Sequence, residues 1–110
     1  MMLSSFLLLV AATQATPQNF IDGNKLYEWC KSPHPYDYMC TGYVIGAVDG
    51  IDAVSAAGSA KKIICYPSDV VVEQIQDIVV KYLTDHPEHR HWPASWLVNT
   101  ALVKAFPCKP

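Results

Sequence analysis

Four cysteines, Cys30, Cys40, Cys65 and Cys108, in a chain of 110 residues constrain the fold more than any other feature. An even number of cysteines in so short a chain reads as two disulfides when the compartment is oxidising. The first residues supply that compartment. Phe6 to Ala12 form a short apolar core and Thr13-Gln14-Ala15 a small-x-small cleavage site, so residues 1–15 read as an export signal and residues 16–110 as the mature domain. No Lys or Arg precedes the apolar core, which leaves the amino terminus alone as the positive end of the signal. A core of about ten residues is too short to span a bilayer. The later apolar stretch from Tyr43 to Ala57 is interrupted by Asp49 and Asp52, so the mature chain is expected to leave the membrane.

With 16% charged residues and a net charge of −2, there is no basic stripe to neutralise phosphates, and nucleic acid is not an expected partner. A chain of this length builds one modest core, which disulfides commonly support. The periodicity is helical wherever it is clear. A first helix over about 22–30 opens at Asp22 or Asn24 as cap, places Leu26, Trp29 and Cys30 on one face, and stops before Pro33 and Pro35.

A second helix over about 38–57 carries Gly42, Gly46, Gly50, Ala53 and Ala57 as a ridge without side-chain bulk, which predicts that another helix approaches it closely. Tyr43, Val44, Ala47, Ile51 and Val54 supply apolar bulk opposite. Asp52 is expected in solvent and Asp49 hydrogen-bonded across a helix contact; a catalytic pair is the sharper alternative, but spacing of three residues shows only proximity. A third helix over about 71–84 is amphipathic, with Val72, Ile75, Val79 and Leu83 on its apolar face and Glu73, Asp77 and Lys81 on the other. A fourth, from Pro93 to Phe106, is apolar almost all round, which predicts a second covered surface, most simply by another copy of the chain. The fold class is therefore all-α, a small four-helix domain.

Helix order also bears on the cysteines. Cys30 and Cys40 flank the first connection, whereas Cys65 follows the second helix and Cys108 the fourth, which run parallel in an antiparallel arrangement. Of the three possible connectivities this selects Cys30–Cys40 and Cys65–Cys108. A four-thiolate zinc site would need Cys-x-x-Cys pairs, and there are none.

Cys40-Thr41-Gly42-Tyr43-Val44-Ile45-Gly46, Cys65-Tyr66-Pro67, Tyr82-Leu83-Thr84-Asp85-His86-Pro87-Glu88 and Phe106-Pro107-Cys108, preceded by Leu26-Tyr27-Glu28-Trp29-Cys30, together resemble the Rap/Tai immunity family. The resemblance runs in order over nearly the whole mature chain. It implies a small disulfide-bonded helical periplasmic protein, often homodimeric, whose relatives bind and inhibit peptidoglycan-cleaving amidases delivered by type VI secretion. Relatives would carry a polar cap such as Thr where this chain has Val71.

Such a role requires occlusion of an active site and no chemistry of its own. The expected partner surface is His86 to Trp96, a loop stiffened by Pro87 and Pro93, with His86, His89, Arg90, His91, Trp92 and Trp96 as contacts, Arg and Trp being the types that anchor interfaces. His86, His89 and His91 are near enough in sequence to share a metal, with His34 as a fourth donor, but neither a regular His-x-x-x-His spacing nor an acidic partner supports such a site, and no metal or cofactor is assigned. Gly-x-Ser-x-Gly, His-Glu-x-x-His and phosphate-loop motifs are absent, and with all four cysteines in bridges no thiolate nucleophile remains, so no enzyme is expected. The competing class is a small periplasmic chaperone that covers clients with its last helix and responds to acid through its histidines.

Overall fold

A computed structural model of the chain describes residues 19–109. The export signal expected at residues 1–15 lies outside them. Four helices follow in order: α1 (Gly23–Lys31), α2 (Asp37–Ala56), α3 (Val72–Asp85) and α4 (Ala94–Ala105), with a single 3-10 turn at Pro87–His89. Among the described residues there is no sheet, only two isolated bridges, Asp22 with Pro93 and Ile64 with Pro107. No helix among them is long and apolar enough to cross a membrane. The all-α reading holds, with helix ends within about one residue of those expected, the margin normal for frayed termini.

Local chemistry accounts for the boundaries. Asp22 caps α1, its carboxylate accepting from the backbone N–H of Lys25 at 2.8 Å. Val71 caps α3 in an extended conformation and offers no side-chain acceptor, so the first N–H groups of that helix lack this support. Pro93 stands outside α4 as its cap rather than as its first residue, its ψ of 134° being extended.

The core is made of Leu26, Cys40, Val44, Ile64, Ile75, Val79, Tyr82, Leu83, Ala94, Leu97, Val98, Ala101 and Leu102. α4 contributes the last five and is packed by α1, α2 and α3. Its all-round apolar character is therefore accounted for mainly by neighbours within the chain. Each fully buried Leu contributes about 1.5–3 kcal/mol relative to exposure. α4 carries one large outward-facing apolar side chain, Trp96, whereas α2 carries Tyr38, Met39, Ile45 and Val54 outward.

That corrects the expectation for the glycine ridge. Gly42, Gly46 and Gly50 are exposed, and a Cβ built on any of them meets nothing within 4 Å among the described residues, so none of the four helices lies against them. Asp49 is likewise exposed and is not buried at a helix contact. The glycine with a close neighbour is Gly23, where a Cβ would fall 2.7 Å from the Arg90 carbonyl oxygen and into the Leu97 side chain. α1 begins there because only a residue without a side chain fits between α4 and the turn that precedes it.

Both disulfides form as expected. Cys30–Cys40 closes the connection between α1 and α2, and Cys65–Cys108 joins the segment after α2 to the segment after α4. The second bridge is reinforced by the Cys65 N–H donating to the Phe106 carbonyl at 2.9 Å and by Tyr66 resting against Phe106, ring centroids 5.6 Å apart.

Candidate functional site

The turn from α3 to α4 gathers most of the residues singled out in the sequence. Tyr82 and His86 are four apart at the end of α3 and so share a face; their rings lie 4.3 Å apart. Pro87 then starts the 3-10 turn, which brings His89 round until its ring is nearly parallel to that of His86 at 5.1 Å and to that of Trp92 at 4.1 Å. Tyr82, His86, His89 and Trp92 form one aromatic stack along the turn. The Tyr82 hydroxyl sits 3.0 Å from His89 Nδ1.

Glu88 completes the cluster. Its Oε1 is 3.0 Å from His86 Nδ1 and 3.8 Å from His89 Nε2. Hydrogen bonding from His86, followed by the turn's own backbone, holds the Glu88 carboxyl below its ordinary range. Burial pushes the Tyr82 phenol up, and the Glu88 charge adds to that. Sequence reasoning missed both residues. The Tyr-x-x-x-His spacing of Tyr82 and His86 signals the first, and the short interval His86-Pro87-Glu88-His89 signals the second.

Arg90 has a structural task. Its Nε donates to the Leu83 carbonyl at 2.6 Å and its Nη2 to that of Thr84 at 3.4 Å, so the guanidinium caps the open carbonyls of α3 while stacking 3.8 Å over the Tyr27 ring. Its own carbonyl accepts from the Asn24 N–H at 2.8 Å, and that of Trp92 from the Gly23 N–H at 2.9 Å, which satisfies the first donors of α1. Of the six residues expected as partner contacts, the structure leaves Trp92, Trp96 and His91 outward, with Trp96 53% exposed; His86 and His89 are half-buried in the stack. His91 meets Trp92 edge-on at 6.1 Å, and His34 is distant in the fold, paired with Asp37 at 3.3 Å.

A second surface flanks the exposed side of α2. An apolar groove of about 430 Å³ runs between α2 and the segment leading to Cys65, lined by Ala47, Gly50, Ile51, Val54, Ile63 and Asn99 among others. Val54 on the groove's lining and Ile45 elsewhere on α2 are both exposed.

Compared with known families, residues 22–108 match the model that describes Rap1a immunity proteins. The chain belongs to the Rap1a immunity protein family. The match starts at the α1 cap and ends at the last cysteine, so it includes both bridges and the whole α3–α4 turn. Rap1a immunity proteins are inhibitors and not enzymes, and the chemistry to be explained in this member is recognition of a cognate effector protein. Two disulfides and the family together mark it as extracytoplasmic. Comparison with curated proteins gave no match, and neither did comparison with solved structures.

Proposed function

We propose that this Rap1a immunity protein acts in the periplasm, after removal of residues 1–15, by binding a peptidoglycan-cleaving amidase effector of type VI secretion and occluding its active-site groove. The observation that carries the reading is the family match across 22–108. The turn supports it, because Trp92 and Trp96 present aromatic area from backbone already fixed by Pro87, Pro93 and the Arg90 cap, so little ordering entropy is lost on docking. Trp92, Trp96 and His91 are the contacts we assign; Arg90 acts by holding the turn. The chain is further proposed to form a homodimer through the outward face of α2, where Gly42, Gly46 and Gly50 permit close approach of a second backbone.

The test uses the oxidised mature chain as bait against lysates of the source strain and its competitors. Recovery of an amidase whose cleavage of peptidoglycan is blocked at one immunity protein per enzyme supports the role. A Trp92→Ala/Trp96→Ala variant that keeps its fold is expected to lose about thirtyfold or more in affinity, since a single anchor of this type is worth about 2 kcal/mol or more. Capture of many unrelated clients, strongest in acid, would favour the chaperone class instead. Full affinity in the double variant would remove the turn from the interface.

A further inference from the structure

The α3–α4 turn places one carboxylate oxygen between two imidazole nitrogens. One donor atom from each of His86, Glu88 and His89 lies within 4.8 Å of the other two, with Glu88 Oε1 3.0 Å from His86 Nδ1 and 3.8 Å from His89 Nε2. Zinc bonds of about 2.0–2.2 Å separate tetrahedral ligands by about 3.4 Å, so closure on an ion needs side-chain movements of about 1 Å or less. His86 rests on Tyr82 and His89 is stacked between His86 and Trp92; the two imidazoles are within 5° of parallel, so sharing an ion also turns one ring out of the stack until both lone pairs meet. His89 also has the outer partner that metal-bound histidines usually have, because its Nδ1 faces the Tyr82 hydroxyl at 3.0 Å and leaves Nε2 toward Glu88.

We propose that His86, Glu88 and His89 form a binding site for a divalent transition-metal ion of the zinc class, with water completing the tetrahedron on the solvent side. Two imidazoles and a single carboxylate select such an ion over magnesium or calcium, which take oxygen ligands. Binding replaces the contacts that the two rings make with Glu88. In the bound state each ring turns a lone pair to the ion. His86 then carries its proton on Nε2, and His89 carries its own on Nδ1, from which it donates to the Tyr82 oxygen. The ion ties the last turn of α3 to the 3-10 turn that carries Trp92 forward, so its effect is to stiffen that turn. His91 and His34 lie outside the group.

The probe is zinc chloride titrated calorimetrically into the oxidised chain after chelator treatment, at neutral pH. One ion per chain is expected at micromolar concentration, with a rise in melting temperature that magnesium and calcium do not reproduce, and cobalt is expected to give a tetrahedral visible spectrum. Glu88→Gln, at an exposed position, should weaken uptake about tenfold or more with the helical content unchanged, and Tyr82→Phe should weaken it about 10- to 100-fold by releasing His89. His91→Ala should bind as the parent does. Absence of stoichiometric uptake by the parent chain, or uptake unchanged in both Glu88→Gln and Tyr82→Phe, overturns the site. Effector capture is not part of this readout, so its outcome is independent of the immunity role.

Discussion

α2 and α4 are written in similar residues, mostly Ala, Val and other apolar types with few charges, yet they occupy opposite places in the molecule. α4 buries five of its twelve residues, whereas α2 buries two of its twenty. Leucines make the difference. Leu97 and Leu102 project far enough to fill the space between α1, α2 and α3, while the glycines of α2 remove almost no apolar area from water when covered. An apolar helix thus marks either the centre of a core or a surface awaiting a partner, and side-chain volume along the stripe tells the two apart.

The disulfides give the largest test of that contrast, because one of them ties the segment after α4 to the segment after α2. Cys65–Cys108 spans 43 residues and Cys30–Cys40 spans 10. In the chain-entropy account, losing the longer closure costs about 4 kcal/mol and the shorter about 2.7 kcal/mol. Chemical denaturation of the paired Cys→Ser variants checks the order. Equal losses would mean that the two ends of the bundle are held by packing alone.

Next in size is the core itself. Leu97→Ala on α4 is expected to cost about 3 kcal/mol through lost transfer energy and a residual cavity. Val54→Ala on the open side of α2 should stay within about 0.5 kcal/mol. Urea unfolding at low protein concentration measures both. A loss above about 1 kcal/mol at Val54 would show that α2 is covered in solution.

These magnitudes also show which parts of the molecule were readable in sequence. Helix ends followed from Asp22, the Pro33 and Pro35 pair and the periodicity of Ile75, Val79 and Leu83, all local signals. The bridge pairing followed from helix order. The partner of the glycine ridge did not, since close approach is a property of two surfaces and the sequence shows one. Arg90 was assigned outward because Arg commonly anchors interfaces, but the open carbonyls of Leu83 and Thr84 and the Tyr27 ring, all fixed by tertiary placement, take its guanidinium inward. Glu88 joined the histidines only when the 3-10 turn folded it back between them.

Gly23 gives a smaller loss than Leu97, of a different origin. A methyl group there meets the Arg90 backbone and the Leu97 side chain, so Gly23→Ala is expected to cost about 1–3 kcal/mol by overpacking, despite the better helix propensity of Ala. Thermal melting of the purified variant measures it. A neutral result would show that the start of α1 can slide away from α4, and that the hydrogen bonds from Gly23 and Asn24 to the turn hold it loosely.

Gly46→Ala reverses the sign. Among the described residues nothing lies within 4 Å of the added methyl group, and Ala is favoured over Gly in a helix interior by about 0.5–1 kcal/mol, so an isolated chain should gain roughly that much stability. A homodimer seated on α2 changes the expectation, because the same methyl group would then be forced between two backbones. Melting at two protein concentrations, with mass measured by light scattering, separates the cases. A concentration-independent gain means the glycine face is free and its cost to α2 is uncompensated within the chain. A loss that deepens as the protein is diluted, together with a fall in mass, means the ridge is the contact between copies.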